Sequence, residues 1–325
     1  MTPFGRALRD RIQREGPITV EAYMEACNAH YYATRDPLGT RGDFTTAPEI
    51  SQMFGELIGA ALADSWTRAG SPADAIYAEL GPGRGTLAGD ALRVMRGPGF
   101  GGEAHLVETS QILRDAQKKA VPQAHWHEAI EELPARPLLL VTNEFLDALA
   151  IRQHVAGVER RVLIAAGGLA FDRDGEIVET SPARDQAVAA IATCLAAKGG
   201  VAFFVDYGHA KTAPGDTLQA VRRHAFSPVL ANPGEKDLTG HVDFEAVARA
   251  ARDAGASVTP LVSQGEWLNA LGIGQRAAAL ATANPERAEE LASAVQRLTG
   301  ADQMGELFKV IAIHAPDWPA PLGFE

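Results

Sequence analysis

From Asp74 onward, short unbroken apolar runs alternate with stretches whose apolar residues recur every three or four positions. That alternation predicts a parallel sheet with helices on its faces. Residues 75–80, 104–108, 138–142 and 201–206 read as buried strands. Residues 86–95 read as a helix, and Thr109 or Ser110 caps a second that runs to about residue 120. Ser181 and Pro182 supply the N-cap and first position of a third helix, which Gly199 would end. Residues 257–262 and 308–313 predict two late strands. Between them lies a long helical insertion, with a capping box at Ser263 and Glu266 and a further helix opened by Asn284-Pro285.

Three segments stand outside this alternation. Residues 1–73 read as a mostly helical region that opens with a short amphipathic helix over residues 1–16. Its main helix is expected to start at Thr46, with Glu49 completing a capping box. Ile50, Phe54, Leu57, Ile58, Ala61, Leu62 and Trp66 mark that helix's buried face. Residues 151–172 look like a β-meander turning at Ala156-Gly157 and Gly167-Gly168. Residues 207–240, rich in Gly, Pro and charge, read as a long loop. The expected organisation is a helical region over 1–73, then an α/β domain over 74–325 with insertions at about 151–172, 207–240 and 263–305.

The length of 325 residues suits one large α/β domain with insertions, or two domains. The composition, 46% hydrophobic and 22% charged, is that of an ordinary globular protein. A formal net charge of −11 argues against nucleic acid as the main partner, because binding phosphates needs clustered Lys and Arg. It would suit a cationic substrate, although a solvated acidic surface is the commoner meaning. Cys27 and Cys194 are the only cysteines, too few for a disulfide framework or a Cys-rich metal site, which points to a reducing compartment. The first residues lack the apolar core of a secretory signal, and no apolar run approaches the ~20 residues that span a bilayer. The composition therefore predicts a cytoplasmic protein without membrane insertion.

The strand at 75–80 leads straight into Gly81, Gly83 and Gly85, where the backbone can turn sharply and approach a ligand ahead of a helix N-terminus. Thr86 stands where a dinucleotide loop would place its last glycine, and no Lys-Ser or Lys-Thr pair of a P-loop follows. Glu79 would repel a pyrophosphate, yet it suits the ammonium of a methionine moiety. Both features disfavour an NAD-dependent oxidoreductase. Glu108 ends the second strand twenty-three residues after Gly85, where a carboxylate accepts two hydrogen bonds from a ribose diol. Glycines that merely tightened a turn would not need that carboxylate in register.

The strand at 138–142 ends in Asn143-Glu144-Phe145-Leu146-Asp147. In open α/β sheets the reacting ligand lies beyond the carboxyl ends of the strands, so Asn143, Glu144 and Asp147 are candidates to meet a methyl acceptor. A guanidinium nitrogen is a poor nucleophile, and carboxylates accepting its N–H bonds can orient it. Asn143 and Glu144 could equally cap the next helix. Asp43, Thr45 and Thr46 are candidates for a lid over the cofactor, and His241 for the acceptor site. Asp243 reads as the N-cap of a helix from Phe244, and Asp206 and Tyr207 end the fifth strand near the site. His125 and His127 flank Trp126, but no third ligand follows at metal spacing.

Five segments together resemble the MidA-type methyltransferases: 41–51, 79–87, 143–147, Asp206-Tyr207-Gly208 and 237–244. This family includes the mitochondrial assembly factor for respiratory complex I. The resemblance runs from about Leu8 to Ile313, and its most specific piece is 42–51. It implies the class I methyltransferase architecture, a Rossmann-like, mostly parallel sheet with an antiparallel edge strand, and S-adenosylmethionine as cofactor. It further implies cofactor positions at Gly81, Gly83, Gly85 and Glu108 and a strand-four motif at Asn143 and Glu144. The mitochondrial branch implies arginine methylation of a complex I peripheral-arm subunit as the protein substrate. A cofactor-binding assembly chaperone without catalysis is the alternative. The sequence departs from the family at Ala150, often proline, and at Gly240, often alanine.

Overall fold

The computed structural model describes residues 2–36, 45–222 and 225–324. Its central sheet contains seven main strands: β1 (Ile76–Leu80), β2 (Ala104–Val107), β3 (His125–His127), β4 (Leu138–Asn143), β5 (Gly200–His209), β6 (Ser257–Val258) and β7 (Phe308–His314). Their hydrogen-bonded order is β6-β7-β5-β4-β1-β2-β3. Neighbours from β5 to β3 pair in parallel. Strand β7 runs antiparallel to both β5 and β6. This is the parallel sheet with an antiparallel strand near one edge that the sequence implied. The direction of winding reverses between β1 and β4, and a reversal of that kind leaves a crevice outside the strand ends. Register brings those ends together, with Leu80 opposite Thr142 and Asn143 opposite Val205.

Eight helices bear on the site: α1 (Pro3–Glu15), α2 (Val20–Thr34), α3 (Ala47–Ile50), α4 (Gln52–Arg68), α5 (Thr86–Met95), α6 (Gln111–Ala120), α7 (Pro182–Lys198) and α8 (Phe244–Asp253). Four of the caps read from sequence form where expected, since capping depends on neighbours two or three residues away. Ser110 accepts from Leu113, Ser181 from Arg184, and Asp243 from Glu245 and Ala246. Ser263 and Glu266 complete a capping box. Side chains alternate across the sheet. Tyr77, Leu139, Val141, Phe203 and Val205 pack with α4 and α5. Ile76, Ala78, Leu80, Leu140, Ala202 and Phe204 pack with α7 and α8 on the other face. Among the described residues, no helix is long and apolar enough to cross a membrane.

Three local expectations are corrected. The helix expected from Thr46 is two helices, because Ser51 is extended and caps α4 instead. Thr46 makes no side-chain cap, and the Glu49 carboxylate turns outward to Thr86 and Arg84. The segment 151–172 is not one meander. Arg152–Val155 lies between Val158–Glu159 and Ile177–Thr180 in one sheet, whereas Arg161–Ala165 lies between Gly168–Phe171 and Ile18–Thr19 in another. The break falls at Arg160, which buries its guanidinium over the Phe171 ring and against Gln153. The segment 207–240, read as a loop, contains Gln219–Arg222, Ala225–Phe226 and Asp237–Thr239, which form a three-stranded sheet. Its Leu218, Ala220 and Leu238 share a third core with Leu8, Ile12, Tyr23 and Met24 of α1 and α2.

Helix α4 crosses α5 at two glycines. A Cβ on Gly59 would fall 2.5 Å from the Ala91 carbonyl oxygen and 2.6 Å from its Cα. Backbone cannot retreat from such a clash without separating the helices. Gly59→Ala is therefore expected to lower stability by about 1–3 kcal/mol, as overpacking does. Denaturant unfolding checks this, and an unchanged midpoint would refute the close crossing.

Candidate active site

A cleft of about 460 Å³ opens at the carboxyl ends of β1, β2 and β4. Its floor is the turn after β1, where Gly81 and Gly83 have φ of +62° and +54°, a left-handed geometry that favours glycine. A Cβ on Gly81 would come within 3.1 Å of the Phe145 ring, so the glycine lets the loop and the β4 turn close together. Gly85, at φ +80°, caps α5 and does not line the cleft. Thr86 lines it and donates its hydroxyl to Glu49 at 2.6 Å.

Carboxyl groups stand at both ends of this floor. Glu79 is buried, and its partner is the Tyr77 hydroxyl at 2.7 Å. Burial pushes the Glu79 carboxyl up to about 8. A cationic ligand group beside it would favour the ionised form. Glu108 is also buried. One oxygen accepts from the Ser110 amide at 2.7 Å and the other from Gln117 at 3.3 Å. Burial raises its proton affinity, and these two donors oppose the rise. The set fits a ligand with an ammonium at one end and a hydroxylated sugar at the other.

At the end of β4 stand Asn143 and Glu144, both lining the cleft. Glu144 has φ +53°, an uncommon conformation for a residue with a Cβ, of a kind that clusters at functional sites. Burial, followed by the nearby Asp147 charge, pushes its carboxyl up to about 8. Asn143 donates to Glu144 at 3.2 Å, and the buried Asn143 Oδ1 has no partner among the described residues. Neither residue caps a helix.

Two of the expected acceptor residues lie elsewhere. Asp147 is buried behind the cleft wall, and the Asp206 carboxylate accepts its amide at 3.2 Å and that of Leu146 at 3.0 Å. His241 does not line the cleft and packs edge-on to Tyr207 at 5.6 Å. The turn after β4 keeps Asn143, Glu144 and Phe145 on the cleft and carries Leu146 and Asp147 behind it, which separates Glu144 from Asp147. Thr46 lines the cleft and Thr45 does not, whereas Asp43 lies outside the described residues.

The sequence reading missed the wall contributed by α2. Tyr32 lines the cleft, its hydroxyl donates to Asp237 at 2.9 Å, and its carbonyl accepts from Ser110 at 2.7 Å. Nothing in the helical pattern of 20–34 singles it out. Glu49 was legible only as a cap. Arg184 was missed as well. Its buried guanidinium donates to the carbonyls of Leu146 (2.6 Å), Asp147 (3.1 Å), Leu149 (3.4 Å), Gly240 (2.8 Å) and His241 (2.6 Å).

Comparison with known proteins agrees with this geometry. A family model of S-adenosyl-L-methionine-dependent methyltransferases matches residues 57–166 and 159–262. The chain is 34% identical to the Drosophila melanogaster protein arginine methyltransferase NDUFAF7 homolog, mitochondrial, covering 95% of this chain and 84% of that one. It is 31% identical to the Homo sapiens protein arginine methyltransferase NDUFAF7, mitochondrial, covering 96% and 83%. A Burkholderia thailandensis structure bound to S-adenosyl-homocysteine superposes with a TM-score of 0.87 at 29% identity, covering 98% of this chain and 93% of that one. The expected cytoplasmic setting is overturned by the curated relatives, which are named mitochondrial. Two free cysteines suit any reducing compartment and so could not specify one. The glycine turn, the carboxyl groups at its two ends and these relatives agree that the chain belongs to the S-adenosyl-L-methionine-dependent methyltransferase family.

Proposed function

We propose that this methyltransferase acts on an arginine side chain of a protein, and that the protein is a peripheral-arm subunit of respiratory complex I. The observation that carries the reading is Glu144, a partly buried carboxyl held in a left-handed turn at the acceptor end of the cleft. Two relatives support the class of acceptor, since they are named protein arginine methyltransferases. The complex I assignment rests on the family resemblance.

S-adenosylmethionine, when bound, supplies a methyl group on a positively charged sulfur. Glu79 holds the ammonium, Glu108 accepts hydrogen bonds from the ribose diol, and Gly81 and Gly83 keep the floor clear of side chains. Thr46, Thr86 and Glu49 close the rim. Glu144 accepts N–H bonds from the guanidinium, and the arriving cation offsets the burial that keeps the carboxyl protonated. A nitrogen that gains a methyl must shed a proton, and the Glu144 carboxylate can take it. Intact carboxyl groups at all three positions favour an enzyme over a non-catalytic chaperone.

The charge state of Glu79 makes cofactor binding pH-dependent. Its raised carboxyl is mostly protonated below about pH 8, and pairing with an ammonium requires that proton to leave. S-adenosylhomocysteine affinity should therefore climb as pH rises from about 6 towards 8, by up to about tenfold per unit, and flatten above. Glu79→Gln should bind weakly without that slope. Calorimetry across the range is the check, and a flat wild-type profile would remove Glu79 from the ammonium site.

Glu144→Gln should keep most cofactor affinity and lose about 2–4 kcal/mol of transition-state stabilisation, or roughly 30- to 1,000-fold in rate. Single-turnover methylation of the native substrate measures it; near wild-type turnover would refute the role. The substrate itself is read by mass spectrometry of complex I peripheral-arm subunits from cells with and without this gene. Arginine methylation should be present in the first and missing in the second. Free arginine should be a poor substrate, because it forfeits remote binding energy. Identical methylation in both samples would defeat the complex I assignment.

A further inference from the structure

The edge strand β3 carries His125-Trp126-His127, a run that the metal reading does not explain and that the catalytic residues do not use. Its histidines stack on His105, with ring centres 5.0 and 5.2 Å apart. The tryptophan points to a different task. Its indole Nε1 donates to Oε1 of Gln117 at 2.9 Å. Gln117, on α6, is fully buried, and its Nε2 donates to the Gly83 carbonyl at 2.7 Å and to Glu108 Oε2 at 3.3 Å. One amide therefore joins the glycine turn to the carboxylate at the end of β2.

The indole fixes which way that amide faces. Trp126 offers a donor only, so the Gln117 oxygen must face it, and both amide hydrogens are left for Gly83 and Glu108. The other Glu108 oxygen is held by the Ser110 amide. Arg114 ties the same corner from outside, donating to the Glu108 carbonyl at 2.7 Å and the His127 carbonyl at 3.0 Å. Packing agrees with the hydrogen bonds: a Cβ on Gly85 would lie 3.4 Å from both Cα and Cγ of Gln117. Gln117 thus fills the space beneath the turn and does not line the cleft.

We propose that Gln117, oriented by Trp126, is a positioning residue for the cofactor, setting the Glu108 carboxylate and the Gly83 turn at the spacing the ribose requires. The inference rests on Glu108 being the ribose ligand. Without Gln117, Glu108 would keep its charge but lose the bond that aims Oε2, and the turn would lose the donor beneath Gly83. The edge strand, remote from the acceptor, then contributes to the affinity of the site.

A double-mutant cycle on S-adenosylhomocysteine affinity, read by calorimetry, tests this. Gln117→Leu and Glu108→Gln should each weaken binding about tenfold or more, the loss expected of one well-placed hydrogen bond to a charged group. Combined, they should weaken binding by less than the product of the two losses, because both remove the Gln117–Glu108 bond and only the Gly83 contact is left to add. Gln117→Leu combined with Glu79→Gln should instead multiply, since Glu79 lies at the other end of the floor. A merely structural glutamine would lower affinity by the same factor in every background. If Gln117→Leu does not fold, Trp126→Phe enters the same cycle, with a smaller loss but the same coupling to Glu108. Independent, multiplying effects of Gln117→Leu, or of Trp126→Phe in its place, with Glu108→Gln overturn the positioning role. Unchanged affinity in Glu108→Gln would overturn the ribose assignment, and this inference with it.

Discussion

The Arg184 guanidinium, buried and bound to five backbone carbonyls, is the constraint on which the acceptor end of the cleft depends. A guanidinium stays charged at any relevant pH and carries five N–H donors in a rigid plane. Buried, each donor must find an acceptor, and here the acceptors belong to two chain segments, 146–149 and 240–241. The carbonyls bend around the cation, and Asp206 and Asp147 supply compensating charge nearby. Asp206 holds the same turn from the other side through the Leu146 and Asp147 amides. The turn after β4 is thereby clamped between a cation on its carbonyls and the Asp206 carboxyl on its amides. A clamped turn can keep Glu144 in a left-handed conformation that an unsupported residue would leave.

The same clamp shapes the electrostatics. Glu79, Glu144, Asp147 and Asp206 are all held above the ordinary carboxyl range, with burial the first cause in each. Like charges add to the effect around β4, where Asp147 acts on both Glu144 and Asp206. Such a site tolerates several carboxyl groups because some remain protonated until a cation arrives. The cationic ends of the cofactor and of an arginine acceptor are what this arrangement would take. The acidic net charge of the whole chain was a weak sign of that preference; the local burial is a strong one.

How much of this was legible depended on range. Strand runs such as 138–142, the caps at Ser110, Ser181 and Asp243, and the capping box at Ser263 are governed by residues within a turn of one another, and all form. The glycine turn and Glu108 were legible for the same reason, each sitting at the end of a recognisable strand. Glu49 shows the limit. Its spacing from Thr46 is that of a capping box, yet Thr86, thirty-seven residues away, takes the carboxylate. The strands at 219–222 and 237–239 were missed because Ala220 and Leu238 find apolar partners on α1 and α2, far away at the start of the chain.

By itself, then, the sequence determined the order of strands and helices in the central sheet and its layers, the nature of the cofactor turn and the presence of carboxyl groups at the ends of β1, β2 and β4. Local backbone chemistry and side-chain periodicity are sufficient for those. Only the tertiary structure decided which carboxyl groups face the cleft, putting Glu144 inside and Asp147 behind it. It also brought Tyr32 to the wall, set Gln117 beneath the glycine turn and buried Arg184 among carbonyls. Each of these depends on groups made close by strand register and helix packing, and a side chain's partner at that range is fixed by the folded geometry, not by its neighbours in the chain.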